Sequence, residues 1–250
     1  MKRLQHGLAL GLAVAVALAI YLSWRPIPLP DPSRVDESIT LGQPIQVTRE
    51  AAPFAAPIDG VTYVITPRAR YELTGVVVSY HRGDAPFNMY HADDPGNVQD
   101  VCVVWGDNVA NGSYRRVTYS SGEFTCYFQW SGLLDPPFDP AQMSNNHLIP
   151  ADAFVAHRIR QLRIGDQVRV SGLLVDYEVA RDGEHRVSRR TSLTRTDTGN
   201  GACEVLYVTA FDVIRPGDRL AANAATYAWY ASLGLLAALG FVWFVRPPTA

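Results

Sequence analysis

The side chains most able to do chemistry are scattered along the chain. A cysteine becomes a nucleophile when its thiol is ionised and a base stands beside it. Cys203, in Gly199-Asn200-Gly201-Ala202-Cys203-Glu204, has a loop-shaping pair of glycines before it, and His147 is the base in view. Nothing in their spacing brings the two together, so a buried or differently paired Cys203 is the plainer reading. Cys102 and Cys126 are the pair expected to form a disulfide, from neighbouring strands on an oxidising side of a membrane.

The most site-like stretch is Ser144-Asn145-Asn146-His147-Leu148-Ile149-Pro150. Asn and His just before a helix can cap its free N–H groups, which is the ordinary use of such residues. The functional use is a binding site: Asn145, Asn146 and His147 at a positive helix terminus could take an anion or a polar group of a partner. Arg189, Arg190 and Arg195, with Arg181 and Arg186, make a late hairpin basic, either as a solvated ribbon or as a dock for an acidic partner or a phospholipid head group. His81, His91, Asp93 and Asp94 could hold a divalent cation, but their spacing fits no compact ligand signature, so no metal is expected. No G-x-S-x-G, H-E-x-x-H, phosphate-loop or C-x-x-C motif occurs. No cofactor is expected.

Two uncharged apolar stretches frame these residues. Residues 7–24 run without a charge for about 27 Å as a helix, close to the thickness of a bilayer's hydrocarbon core. Their end, Ile20-Tyr21-Leu22-Ser23-Trp24, lacks the small residues of a signal-peptidase site and offers Tyr21 and Trp24 as interface anchors. Residues 220–245 are uncharged too, with Trp229 and Tyr230 near one end and Phe241, Trp243 and Phe244 near the other. Two spans are therefore expected. Lys2 and Arg3 before the first and Arg246 after the second place both termini in the cytoplasm and the middle section in the periplasm of a bacterial inner membrane. Ala9, Ala13 and Ala17, with Gly234 and Gly240, offer smooth faces for close helix packing.

All 24 acidic residues lie between the spans, where 19 of the 22 basic ones face them. That excess of negative charge argues against a nucleic-acid partner, because phosphate binding needs the opposite sign. Residues 25–60, with Pro26, Pro28, Pro30 and Pro32 on alternate positions, read as a stiff extended linker in which Ser38 to Val47 could add a short strand. Residues 61–219 carry the folded domain. Its strand signals are 61–66, 71–80, 101–105, 113–119, 123–130, 167–177, 186–193 and 204–214, and its one soluble helix is Pro150 to Leu162, with an apolar stripe of Phe154, Val155, Ile159 and Leu162. Glycines fall in mid-strand at Gly75 and Gly172, where sharp coiling or close backbone approach is expected. This order, with Gly165-Asp166-Gln167-Val168-Arg169-Val170-Ser171-Gly172-Leu173-Leu174, resembles the oligonucleotide/oligosaccharide-binding (OB) fold. The resemblance implies a mainly β protein: a small OB-like Greek-key barrel with one helix and hairpin insertions, flanked by N- and C-terminal transmembrane helices. It implies no functional residues.

Such a chain is most economically a membrane-anchored periplasmic binding or scaffold module, an accessory subunit beside an integral membrane protein, with a phospholipid or cell-wall ligand as a further partner. The sequence sets no oligomeric state. The alternative is an envelope hydrolase or transferase acting on a lipid-linked or cell-wall substrate through His147 with Cys and Asp partners. That alternative requires His147 and Cys203, or the His81 and His91 loop, to converge in one concave pocket.

Overall fold

Alternation dictates the longest element. From Val61 to Leu73 every second side chain is apolar or small and buried, and the intervening ones, including Thr62, Val64, Arg68 and Arg70, face outward, the period of a strand with one wet face. The computed structural model describes residues 2–49, 51–84, 94–122, 124–181, 184–197 and 202–245. Its helices are α1 (Lys2–Trp24), α2 (Glu37–Thr40), α3 (Asp107–Ala110), α4 (Ala153–Arg160) and α5 (Arg219–Phe244). Its strands are β1 (Ile45–Thr48), β2 (Phe54–Ile58), β3 (Val61–Arg82), β4 (Gln99–Val104), β5 (Thr118–Gly122), β6 (Thr125–Gln129), β7 (Met143–Pro150), β8 (Gln167–Arg181), β9 (Glu184–Arg189) and β10 (Glu204–Arg215).

The helices α1 and α5 form one unit, covering the chain up to Pro28 and again from Asp218. Both are long and apolar enough to cross a membrane. They pack on each other, with Leu235 against Gly11 and the Trp229 indole N–H donating to Ser23 Oγ at 3.3 Å. The Asp218 carboxylate caps α5 by accepting from the Ala221 N–H.

Residues 29–217 form the second unit. Eight strands make one sheet in the order β1-β3-β4-β7-β10-β8-β9, with β2 on β3 and a second pairing between β3 and β8. The pair β7–β10 is parallel; the others are antiparallel. Strands β5 and β6 form a separate hairpin. A large apolar core gathers Leu73, Val103, Trp105, Ile159, Leu174 and Leu206; a smaller one gathers Tyr63, Ile65, Ile149, Tyr177 and Val205. Gly75 and Gly172 are needed for close approach. A Cβ at Gly75 would lie 2.2 Å from Val103 Cγ1, and one at Gly172 would lie 2.1 Å from the Tyr207 carbonyl.

Three expectations are corrected. The fold is not a small, one-helix, OB-like barrel but a mixed α/β arrangement with five helices and an eight-stranded sheet among the described residues. The discrepancy arises because polar Ser144 to His147 read as the cap of a following helix, and most of proline-rich 25–60 as a stiff linker, when both supply strands. From Leu29 on, the expected linker is built into the second unit. Asp31 and Asp36 cap short turns, Ile39 is fully buried, the Tyr114 hydroxyl donates to the Pro30 carbonyl, and β1 and β2 pair with β3. The soluble helix starts at Ala153, not Pro150, and its cap is Asp152, whose carboxylate accepts from the Val155 N–H at 2.8 Å. Asn145, Asn146 and His147 therefore cap no helix.

Candidate functional site

Strand register assembles the site. In the antiparallel pairing of β4 with β7, Asp100 lies opposite His147 and Cys102 opposite Asn145. Alternation then puts Asp100, Cys102, Asn145 and His147 on one face. On the other side of β7, β10 begins with Glu204 opposite Asn146, which brings Cys203, one residue earlier, alongside Asn145. Three segments distant in sequence meet here because β7 is their common neighbour.

The resulting chain of contacts runs Asp100–His147–Cys203. Asp100 Oδ1 and His147 Nδ1 are 2.6 Å apart, both side chains almost fully buried. The Asp100 carboxylate also accepts from Asn97 Nδ2 and from the Phe124 N–H, each at 2.8 Å. Burial opposes charge on both partners. The contact with His147 nevertheless holds Asp100 below the usual carboxylate range. Against the same burial, hydrogen bonds to Asp100 and then to Cys203 raise His147 from 6.5 to about 9. The pair is thus a carboxylate and an imidazolium at neutral pH. The Cys203 thiol donates towards the Phe124 carbonyl at 3.5 Å and accepts from Asn145 Nδ2 at 3.4 Å.

Phe124 organises this corner. Its φ of 57° lies in the left-handed region, which a bulky side chain rarely adopts. That conformation lets its N–H reach Asp100 and its carbonyl reach Cys203. The ring meets His147 edge-on with centroids 5.6 Å apart, and the Arg189 guanidinium stacks 3.5 Å above the ring centroid.

Cys203 opens onto a cavity of about 840 Å³, walled by Phe124, Phe128 and Met143 and by the polar Asn145, Arg189 and Arg195. Cys126 also lines it and is joined to Cys102 by a disulfide, the two Cα atoms 6.0 Å apart. The bridge ties β4, two residues after Asp100, to β6. Glu204 is buried beneath the cavity and ion-paired to Arg195; burial raises it to about 7, while Arg195 pulls the other way. Arg195 Nη2 also donates to Gln46 Oε1 at 3.1 Å.

Of the residues singled out from sequence, the structure brings together His147, Asn145, Arg189, Arg195 and Cys203. Asn146 points away, donating to Val101 O, Ser144 O and Ser144 Oγ. Arg190 is exposed. His81 lies on β3 opposite Asp100, and Asp94 is held by Tyr63 and Tyr177. His91 and Asp93 lie outside the described residues, as do the side chains of Arg181 and Arg186. Among the described residues no His, Cys, Asp and Glu group is arranged to hold a metal ion. Sequence reasoning missed Asp100 and Phe124; an acidic residue in a strand otherwise apolar, Val101-Cys102-Val103-Val104, was the available signal for the first. Comparison of the chain with protein-family models, with curated proteins and with solved structures finds no match.

Proposed function

We propose that this protein is a membrane-anchored thiol enzyme of the cell envelope, a hydrolase or transferase that forms a thioester on Cys203. The observation that carries this reading is the contact chain Asp100–His147–Cys203 ending in an 840 Å³ cavity. A carboxylate that orients a histidine, which in turn faces a thiol, is the arrangement nucleophilic catalysis requires whatever the fold around it. In this reading the neutral form of His147 takes the Cys203 proton, and the sulfur thus freed attacks a carbonyl carbon. Asn145 Nδ2, beside the sulfur, donates to the developing oxyanion. His147 then passes its proton to the leaving group, and water or a second nucleophile, deprotonated by His147, resolves the thioester. Asp100 keeps the ring's Nδ1 protonated and turned towards it throughout.

The binding or scaffold module is the weaker reading, because a scaffold has no use for a buried ion pair aimed at a thiol in a cavity. The two spans with both termini in the cytoplasm, the periplasmic placement of residues 29–217 and an integral membrane partner remain part of the proposal. The flanking charges Lys2, Arg3 and Arg246 support that orientation, and the Cys102–Cys126 disulfide supports an oxidising side.

The test is acylation of the detergent-solubilised protein by a p-nitrophenyl ester, followed by intact mass and peptide mapping. Expected is a single acyl adduct on Cys203, absent in Cys203→Ala and formed about 10²- to 10⁴-fold more slowly in His147→Ala. Equal rates for the wild type and His147→Ala would sink the reading.

A further inference from the structure

The cavity beside Cys203 contains charges of both signs, but they are not equally committed. Asp139 accepts from the Ala141 N–H at 2.9 Å, and Asp197 accepts from the Ser192 hydroxyl. Glu204 and Arg195 hold each other. His147 is paired with Asp100. Arg189 is different. Its one carboxylate contact runs from Nε to Asp94 Oδ2 at 3.4 Å, a loose approach. Asp94 is already served by the Tyr63 hydroxyl at 2.8 Å and by the Tyr177 hydroxyl. No acceptor reaches either terminal nitrogen of Arg189 among the described residues, and the side chain is 28% exposed. Its guanidinium is not free to swing, because one face is packed 3.5 Å over the Phe124 ring.

A guanidinium has five N–H donors in a planar fork that matches a carboxylate edge-on, and stacking on an aromatic ring fixes that plane in advance. Phe124, the ring that carries Arg189, also supplies the carbonyl facing Cys203 Sγ. The loosely paired cation and the nucleophile are therefore placed by one residue. Resting on the thiol-enzyme reading above, we infer that Arg189 is the specificity-determining residue of this cavity and that the substrate is an acyl compound bearing a carboxylate, which Arg189 holds while Cys203 reacts. The class includes peptides with an acidic side chain or a free C-terminus near the carbonyl under attack. Arg195 contributes less to this selection, since Glu204 and Gln46 already take its two terminal nitrogens.

Two small alkylating agents of equal reach, iodoacetate and iodoacetamide, test the inference on the intact protein. In each case the Cys203 thiolate attacks the methylene carbon, a C–S bond forms, the C–I bond breaks and iodide leaves with the electron pair. The readout is the ratio of the two second-order rate constants, with glutathione as the reference thiol. The wild type is expected to favour iodoacetate more than glutathione does. In Arg189→Gln the ratio falls by at least about three-fold, the factor for unit charges about 6 Å apart even at the dielectric constant of water. Arg190→Gln, which removes an exposed charge outside the cavity, leaves the ratio unchanged, and added salt narrows the wild-type preference. Circular dichroism on each variant confirms that it is folded. An unchanged ratio in Arg189→Gln overturns the inference; if His147→Ala then still slows both reagents, the thiol-enzyme reading survives it. If His147→Ala slows neither, the enzyme reading and this inference fall together.

Discussion

Asp94 and Asp100 stand six positions apart, both almost completely buried, and they do opposite things with their charge. Asp94 is held by two phenol hydroxyls, from Tyr63 and Tyr177, and more loosely by Arg189 Nε, with the Tyr63 oxygen also accepting from the Gly96 N–H at 2.7 Å. Burial pushes both phenols above their ordinary range, so these donors keep their protons at any working pH. Asp100 is held by an imidazole that can change charge, and that imidazole touches a thiol at the edge of a cavity. Burying a carboxylate is thus not what makes a site. What matters is whether its partner can titrate, for Asp94 reaches the same cavity through Arg189.

The comparison is broken most directly by paired substitutions. Asp100→Asn is expected to slow ester acylation of Cys203 about 10²- to 10⁴-fold, because a neutral amide does not stabilise the imidazolium and can donate to Nδ1, favouring the wrong tautomer. Asp94→Asn should leave the pH dependence of acylation in place and cost about 1–3 kcal/mol of stability, since one phenol donor loses its acceptor. Urea unfolding followed alongside the acylation rates separates the two effects. Equal loss of rate in both variants would erase the distinction.

Stability against pH sharpens it. His147 is raised from 6.5 to about 9 on folding, so its contribution is complete below 6.5 and is lost as pH rises through 9. Glu204 is raised from 4.5 to about 7, so its contribution is lost across a lower window, as pH rises through 7. Urea midpoints between pH 7 and 9.5 should therefore fall in the wild type and stay flatter in His147→Gln. Between pH 4.5 and 7 the same flattening belongs to Glu204→Gln. The smallest effect expected is that of Phe124→Leu, which keeps the backbone contacts to Asp100 and Cys203 but removes the ring under Arg189, for about 0.5–1 kcal/mol by urea unfolding.

Much of the scaffold was legible. Alternating apolar residues gave the location of most strands, although β3 is one continuous strand where two were expected, and the two apolar termini gave both long helices. The site was only half legible. His147, Asn145, Arg189 and Arg195 stood out by residue type, but the sequence offered no link from His147 to Cys203. The reason is β7. Ser144-Asn145-Asn146-His147 has the composition of a turn, and a strand that buries four consecutive polar residues breaks the pattern by which strands are recognised. Such a violation is tolerated where polar groups are needed inside, so the failure of the rule coincides with the site. Asp100 was hidden for the same reason, and Phe124 because its role lies in its backbone.

The order of the three cysteines along the chain carries a last consequence. Where the segment between the spans crosses the membrane in sequence order, Cys102 and Cys126 emerge first and Cys203 follows 77 positions later. The loop of 24 positions between the first two can then close before the third arrives. The odd sulfur would then be kept single by order of emergence as well as by geometry. A circular permutant in which residue 203 emerges first is expected to mature with mixed pairings, even though its finished architecture could be identical.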